Sequence, residues 1–311
     1  MQEITKRNPL VSEAQEPTQT HVASSLQTRR AFNRMMLAGF FAGTRLARGD
    51  DPPHEARSSM NPVHRQFVIG GGGFLPDKVH QEFVRRAGGE KAKVLVVPTA
   101  SKAADVDKNV GSYWKWSQNV ASAKLLHTRS PMMANSQEFV DELDDATAIW
   151  WNGGDQNDLV APYLRTRFHT ALDKFVERGG VIGGSSAGAS ALSSIMIKGG
   201  NPVADLGEGL GLVPWAVIDQ HHLTPGRIER LLRATKQHPQ KLGFGIEDRT
   251  AAIVDWTIDT VTVTVMGEGK VRFCQNEQIL KIAQDGDTIN LANLPMVHDD
   301  ESDRNALFRL K

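Results

Sequence analysis

Five residues near the middle of the chain carry the clearest chemical pattern, Gly184-Ser185-Ser186-Ala187-Gly188. The apolar pair Val181-Ile182 precedes them as a strand would, and a helix-like segment follows. A Gly-x-Ser-x-Gly turn between a strand and a helix exposes the oxygen of its serine. The free N–H groups that open such a helix can stabilise an oxyanion. Ser186 is therefore the candidate nucleophile, and the alternative interpretation is a Gly/Ser-rich turn without chemistry.

A serine nucleophile needs a base and a group that orients this base. His221 follows a short strand-like run that ends at Ile218, and the carboxylates Glu247 and Asp248 follow the next such run. The order serine, histidine, acid along the chain differs from that of the α/β-hydrolases. A catalytic triad is nevertheless possible, because it is defined by its geometry and not by the order of its residues. We therefore expect His221 to serve Ser186, and the choice between Glu247 and Asp248 as the orienting acid stays open.

The elements around these residues predict the fold class. From residue 66 to residue 218, strand-like apolar runs alternate with helix-like segments, which predicts a mainly parallel sheet with helices on both faces. Ligands bind such sheets beyond the carboxyl ends of the strands. Three glycine-rich strand ends should therefore gather at one edge: Gly70–Gly73, Gly153-Gly154 and Gly183-Gly184.

Two further segments give specific structural expectations. Residues from about Asp105 to Ala123 have a helix-like pattern. After residue 251 the period changes towards two, which predicts an antiparallel, β-rich C-terminal extension. Within it, Thr257–Val265 and Lys270–Phe273 are predicted to pair as a β-hairpin around Met266-Gly267-Glu268-Gly269.

Composition excludes several classes of function. The 311 residues include 36 Lys+Arg and 36 Asp+Glu, and this balance gives no support for nucleic-acid binding. Cys274 is the only cysteine, so an intrachain disulfide or a cysteine-based metal site is excluded, and a buried structural thiol is expected. The sequence has no phosphate-binding loop and no dinucleotide-binding glycine motif. We therefore expect no cofactor and no metal.

The first 64 residues differ from the rest and are interpreted as a tail and linker, with one domain over residues 65–311. Arg29-Arg30 and Phe32 precede the apolar run Met35–Thr44, and this pattern resembles a twin-arginine export signal. It predicts a periplasmic or extracellular protein. The alternative is a short amphipathic helix in a cytoplasmic protein, since a clear Ala-x-Ala cleavage site is missing. No apolar run in the sequence is long enough to span a membrane.

Four segments in the same order along the chain together resemble the cyanophycinases and the related aspartyl dipeptidases. The segments are Gly153-Gly154-Asp155-Gln156; Ile182-Gly183-Gly184-Ser185-Ser186-Ala187-Gly188-Ala189; Gly209-Leu210-Gly211-Leu212 with Ile218-Asp219-Gln220-His221; and Leu242-Gly243-Phe244-Gly245-Ile246-Glu247-Asp248-Arg249-Thr250-Ala251. The resemblance covers residues from about 65 onwards. It implies a class I glutamine amidotransferase-like, flavodoxin-like α/β fold and a serine-peptidase mechanism without a metal.

The resemblance also implies roles for individual residues. Ser186 matches the nucleophile, His221 the general base and Asp248 the third triad member, and the N–H groups of Gly154 and Ala187 would form the oxyanion hole. The positions that match the substrate pocket are Gln156, Asp219, Gln220, Arg227 and Arg230. The implied substrate is an Asp/Arg-rich peptide or polymer: cyanophycinases cut multi-L-arginyl-poly-L-aspartate into β-Asp-Arg dipeptides. A homodimer is compatible with the resemblance.

Four residues depart from the pattern of cyanophycinases. Glu247-Asp248 stands where the family commonly has Asp-Glu, Pro225 stands where an arginine is common, and His222 replaces an aromatic residue. These departures keep hydrolysis as the expectation but leave the substrate open. The alternatives are an α-aspartyl or isoaspartyl dipeptidase, and a catalytically inactive binding protein on the same fold.

Overall fold

The computed structural model of the chain describes residues 64–107 and 119–295. The tail with its predicted export signal lies outside these residues, as does most of the helix-like segment that the sequence places from Asp105 to Ala123. Within the described part, no helix is long and apolar enough to cross a membrane.

Fourteen strands and seven α-helices make up the described part of the chain. The strands are β1 (Arg65–Gly70), β2 (Lys93–Val97), β3 (Ser122–Leu125), β4 (Ala148–Trp151), β5 (Val181–Ser185), β6 (Ile195–Gly199), β7 (Asp205–Glu208), β8 (Ala216–Asp219), β9 (Leu242–Ile246), β10 (Thr250–Trp256), β11 (Val261–Gly267), β12 (Lys270–Gln275), β13 (Gln278–Gln284) and β14 (Thr288–Asn290). The α-helices are α1 (Asp77–Arg86), α2 (Pro131–Ala134), α3 (Gln137–Asp141), α4 (Gln156–Val160), α5 (Arg167–Glu177), α6 (Ala187–Ser190) and α7 (Arg227–Gln237). Short 3-10 helices cover Gly89–Lys91, Lys102–Asp105 and Leu291–Asn293.

The main sheet has eight strands in the order β14-β11-β10-β1-β5-β4-β2-β3. The five strands from β1 to β3 in this order pair in parallel. The C-terminal strands β10, β11 and β14 add to the other edge in antiparallel pairs. This arrangement confirms the predicted α/β fold class, with its antiparallel C-terminal extension.

A second sheet carries the other part of the site. Its order is β13-β12-β9-β8, in which β8 and β9 are parallel and the other pairs are antiparallel. The strands β6 and β7 form a separate antiparallel pair. His221 therefore follows a strand of one sheet, and Ser186 follows a strand of the other.

Alternate residues of the main sheet point into two different cores. Phe67 and Ile69 of β1 belong to the larger core, whereas Val68 between them packs with Val79 and Phe83 of α1 on the other face. Strands that are buried on both faces have nearly continuous apolar sequences. The apolar runs therefore predicted the strands of the parallel sheet well.

The predicted hairpin around residues 266–269 is wrong. β11 pairs with β10 and β14 in the main sheet, whereas β12 pairs with β9 and β13 in the second sheet. The chain changes sheets between them, after Gly267, whose φ of 148° favours glycine. A period of two identifies strands, but it does not identify their partners.

The predicted helix end at Ala123 is also wrong. Residues Ser122–Leu125 form β3, which pairs in parallel with β2 at the edge of the main sheet, so a helix cannot continue to residue 123. At the other end of the segment, Lys102–Asp105 is a 3-10 helix that Ser101 caps through its side chain. The pairing of Ser122–Leu125 with β2 overrides the weak helical pattern there.

Phe83 offers a test of the smaller core. Its side chain is fully buried, and its ring lies edge-on to that of Trp150 with centroids 5.0 Å apart. We expect Phe83→Ala to lower the free energy of unfolding by about 3–5 kcal/mol, because it leaves a cavity in a packed core. Urea unfolding measures this loss. Phe74→Ala is the matched control, since Phe74 is 89% exposed, and an equal loss in both variants would contradict the assignment.

Candidate active site

Ser186 lies in a strained turn between β5 and α6. Its φ of 56° and ψ of −116° place it in a region that residues other than glycine rarely adopt. Its N–H donates to the carbonyl of Gly70 at the end of the neighbouring β1, at 3.1 Å. A Cβ atom on Gly184 would lie 2.7 Å from the carbonyl oxygen of Gly188, so the turn closes only with a glycine there. The local sequence thus holds the Ser186 hydroxyl at the strand ends.

A chain of hydrogen bonds links Ser186 to His221 and Asp248. The Oγ atom of Ser186 lies 2.9 Å from Nε2 of His221, and Nδ1 of His221 contacts Oδ1 of Asp248. An ionised carboxylate only accepts hydrogen bonds, so Nδ1 carries the proton and donates it to Asp248. Nε2 is then the acceptor for the Ser186 hydroxyl. This is the geometry that a serine nucleophile requires of its base.

The glycine run after β1 fixes the position of His221. His221 itself has a φ of 48°, and its N–H donates to the carbonyl of Gly71 at 2.7 Å. A Cβ atom on Gly72 would lie 2.1 Å from the Cε1 atom of the His221 ring. Because only glycine leaves room for the imidazole, this run supports the base directly.

Glu247 lies elsewhere in the structure. Its carboxylate accepts from Nη1 of Arg272 at 2.5 Å and from the backbone N–H of Lys270 at 2.9 Å. Its side chain is only 7% exposed, whereas that of Asp248 is 49% exposed and turned towards His221. Of the two carboxylates that the sequence left open, the structure brings Asp248 to the histidine.

Of the two residues expected to form the oxyanion hole, Ala187 directly follows Ser186, and Gly154 directly follows Gly153, which packs against the serine. Ala187 is the first residue of α6, so its N–H has no acceptor within the helix. Gly153 packs against Ser186, since a Cβ atom on it would lie 3.2 Å from Cβ of the serine. Gly154 follows with a φ of 143°, and a Cβ atom there would lie 2.1 Å from the carbonyl oxygen of Ala100. The turn that carries the Gly154 N–H therefore needs a glycine at this position.

The residues predicted for the substrate pocket largely bind each other. The carboxylate of Asp219 is fully buried and pairs with the guanidinium of Arg230, whose Nε lies 3.1 Å away. Arg227 donates through Nη1 to the backbone and side-chain oxygens of Gln220. Gln156 donates to the carbonyls of Ile197 and Lys198 at 3.0 and 2.7 Å. Among these cations Arg227 is the more accessible, with 21% of its side chain exposed against 6% for Arg230.

An open cleft of about 570 Å³ lies beside the serine. Its lining includes Ser186, His221 and the turn of Gly153, and none of the five predicted pocket residues. The other described residues of the lining are Gly73, Phe74, Leu75, His80, Ser101, Trp150, Asn152 and Ser185. Of these, sequence reasoning missed the six from Phe74 to Asn152, although the position of Phe74 directly after the glycine run was a usable signal.

His222 is buried beside the catalytic histidine without a hydrogen-bond partner. Its side chain is fully buried, and neither of its ring nitrogens has a hydrogen-bond partner within the described residues. The Nδ1 atom lies 3.9 Å from Oδ2 of Asp219. Burial, together with the charges of Arg272, Arg230 and Arg227, lowers the pKa of His222 to about 3. The imidazole is therefore neutral in the folded protein at ordinary pH.

Two other features bear on chemistry at the site. Cys274 of β12 is fully buried, and burial raises the pKa of its thiol to about 12, so it is not a nucleophile at neutral pH. Within residues 64–107 and 119–295, no group of three or more His, Cys, Asp or Glu side chains is placed to hold a metal ion. The reactive geometry of the described residues is that of Ser186, His221 and Asp248.

Comparison with known proteins agrees with this geometry. The model of peptidase family S51 matches residues 67–259, which is more than half of the chain. The chain belongs to peptidase family S51. It is accordingly a serine-type peptidase, as the resemblance of its motifs implied.

Curated relatives support this family assignment, and a solved structure shares the fold. The cyanophycinase of Geminocystis herdmanii is 32% identical over 220 residues, which cover 66% of this chain and 78% of that protein. A cyanophycinase of a Nostoc species is 31% identical over 236 residues, which cover 70% of this chain and 75% of that protein. The crystal structure of a peptidase from an acI-B1 Actinobacterium matches with a TM-score of 0.57 and 22% identity, covering 74% of this chain and 99% of the other. This structural match supports the fold alone.

The two carboxylates of this S51 peptidase can be separated by mutation. We expect Asp248→Asn to lower kcat by about 10²- to 10⁴-fold with little change in KM, because an amide no longer holds His221 in the correct tautomer. Glu247→Gln is the matched control, since it removes the charge that Arg272 pairs with and leaves the hydrogen bond of His221 in place. Steady-state kinetics on both variants check this. A larger loss of kcat in Glu247→Gln would contradict the assignment.

His222 predicts a pH dependence of stability. Its folded pKa of about 3 lies below the ordinary 6.5, so the unfolded chain binds one more proton between these values. The stability that depends on a neutral His222 is fully present above pH 6.5. As the pH falls from 6.5 towards 3, the free energy of unfolding decreases by about 1.4 kcal/mol per pH unit. His222→Phe should remove this part of the slope when urea unfolding is measured from pH 7 to pH 4. Parallel curves for the variant and the parent protein would refute the prediction.

Proposed function

We propose that this peptidase hydrolyses cyanophycin to β-Asp-Arg dipeptides through an acyl-enzyme on Ser186. The observation that carries the proposal is the hydrogen-bonded chain of Ser186, His221 and Asp248 in a family whose curated relatives include cyanophycinases. The polymer has a polyaspartate backbone with an arginine on each side chain, so each cleavage breaks an amide bond between two aspartyl units.

The geometry supports a two-step reaction. His221 takes the Ser186 proton on Nε2 while Oγ attacks the carbonyl carbon, and the N–H groups of Gly154 and Ala187 stabilise the oxyanion. The tetrahedral intermediate collapses as the protonated His221 gives its proton to the leaving nitrogen. Water then attacks the acyl-enzyme with His221 again as the base, and the free carboxylate and the Ser186 hydroxyl are regenerated.

Arg227 is the group best suited to the carboxylate end of such a substrate. Its side chain is partly exposed and lies next to the catalytic loop through its bonds to Gln220. A guanidinium pairs bidentately with a carboxylate. Arg230 instead neutralises the buried Asp219, so we assign it the role of supporting the loop that carries His221.

A second candidate function is the hydrolysis of α-aspartyl or isoaspartyl dipeptides. The observation in its favour is that the described residues lining the cleft beside Ser186 include no Asp or Glu. A dipeptide with an apolar second residue would need no acidic partner there. Pro225, which stands where cyanophycinases commonly have an arginine, points in the same direction.

Ser186→Ala tests the mechanism. We expect it to reduce the release of β-Asp-Arg from cyanophycin by at least about 10⁴-fold, because the nucleophile is lost. Product release is followed by mass spectrometry, and circular dichroism shows that the fold is retained. Ser194→Ala serves as the control, since its hydroxyl binds the carbonyl of Pro214 away from the triad.

Two outcomes would overturn parts of the proposal. Hydrolysis that persists in Ser186→Ala would exclude Ser186 as the nucleophile. A parent protein that cleaves Asp-Leu or β-Asp-Leu dipeptides and leaves cyanophycin intact would support the second candidate function in place of the first.

A further inference from the structure

The cleft beside Ser186 has one wall of aromatic and apolar side chains. Trp150 is 4% exposed, and its indole packs edge-on against Phe83 with centroids 5.0 Å apart. Leu75, next to it in the wall, is 7% exposed. Phe74 lines the same cleft but is 89% exposed. The wall is thus fixed by core packing, with one phenyl ring left open to solvent at its mouth.

The backbone that carries Phe74 is anchored. Its carbonyl accepts from Nη1 of Arg249 at 3.2 Å, and the guanidinium of Arg249 forms an ion pair with Glu268 at 2.5 Å. The N–H of Arg249 also donates to the carbonyl of Gly72 at 2.9 Å. Phe74 is therefore tied to the loop that follows Asp248. An exposed phenyl ring contributes little to folding, and on a fixed backbone beside a nucleophile it is well placed to contact a ligand.

The charge of the cleft limits what that ligand can be. Among the eleven described residues of its lining there is no carboxylate, and the nearby Asp248 is already bound to His221. An arginine side chain that enters here has no ion-pair partner in the wall. A guanidinium, however, is planar and weakly hydrated and stacks on the face of an aromatic ring. A ring that stays open to water suits such a group better than a purely apolar side chain, because the stem of arginine lies on the ring while its charged end remains wet.

We propose that Phe74 determines substrate specificity by stacking on the guanidinium of the arginine unit next to the scissile amide. The inference rests on the proposed function, since it takes the substrate to be arginine-bearing polyaspartate. Phe74 does not touch the reacting atoms, so it acts on KM and leaves kcat unchanged. Its contribution depends on the chemistry of the side chain that the substrate presents.

The experiment compares three synthetic trimers with polyaspartate backbones that carry arginine, lysine or leucine on each side chain. Kinetics are measured for the parent protein, Phe74→Ala, Phe74→Trp and Ile258→Ala. Ile258 is a matched control, because it is 61% exposed in the turn between β10 and β11 and does not line the cleft. We expect Phe74→Ala to raise the KM for the arginine trimer by about 3- to 30-fold, which is the range of a cation–π contact. Phe74→Trp keeps an aromatic ring and should keep the parent KM for the arginine trimer. Ile258→Ala should also leave this KM unchanged.

The leucine trimer decides between stacking on a cation and simple apolar contact. Its KM should change less than about twofold in Phe74→Ala. For the lysine trimer, the rise in KM should lie between the rises for the arginine and leucine trimers, because an ammonium has no planar face. An unchanged KM for the arginine trimer, or an equal rise for the leucine trimer, would overturn the role of Phe74 while the proposed function stands. If the parent protein cleaves no arginine trimer, the proposed function fails and the role of Phe74 fails with it.

Discussion

The backbone conformation of Ser186 is the constraint on which the site depends. With a φ of 56° and a ψ of −116°, this residue costs about 1–3 kcal/mol relative to a relaxed serine. The surrounding structure holds it there through the bond from its N–H to Gly70 and the close packing of Gly184 on Gly188. The first contact uses the carbonyl at the end of β1, and the second needs a glycine at position 184. This conformation places Ser186 at the edge of the sheet, between the end of β5 and the start of α6.

The second constraint is the meeting of two sheets. His221 follows β8 in the second sheet, yet it must reach a serine at the end of β5 in the main sheet. The glycine run after β1 bridges this gap, because Gly71 accepts from the N–H of His221 and Gly72 accepts from that of Arg249. One short segment thus orients the base and the loop that carries its acid. This explains why a bulky side chain in the run would disturb all three catalytic groups together.

Local patterns predicted the fold class and singled out Ser186 and His221, but they left Glu247 and Asp248 open as the acid and did not predict long-range pairing. The apolar strands and the Gly-x-Ser-x-Gly turn are encoded by adjacent residues, so they could be recognised directly. The partner of β12 depends on residues far away in the chain, and the expected hairpin was therefore wrong. The same limit applies to Asp219 and Arg230: the resemblance implied that they line the substrate pocket, but only the structure shows that they pair with each other. Phe74 was missed because an exposed ring leaves no periodic signal in the sequence.

The covalent intermediate tests the central claim most directly. Acid quenching during turnover of cyanophycin, followed by proteolysis and mass spectrometry, should reveal an aspartyl-containing ester on the peptide that includes Ser186. An unmodified Ser186 peptide under conditions of steady hydrolysis, with the adduct on another residue, would contradict the account.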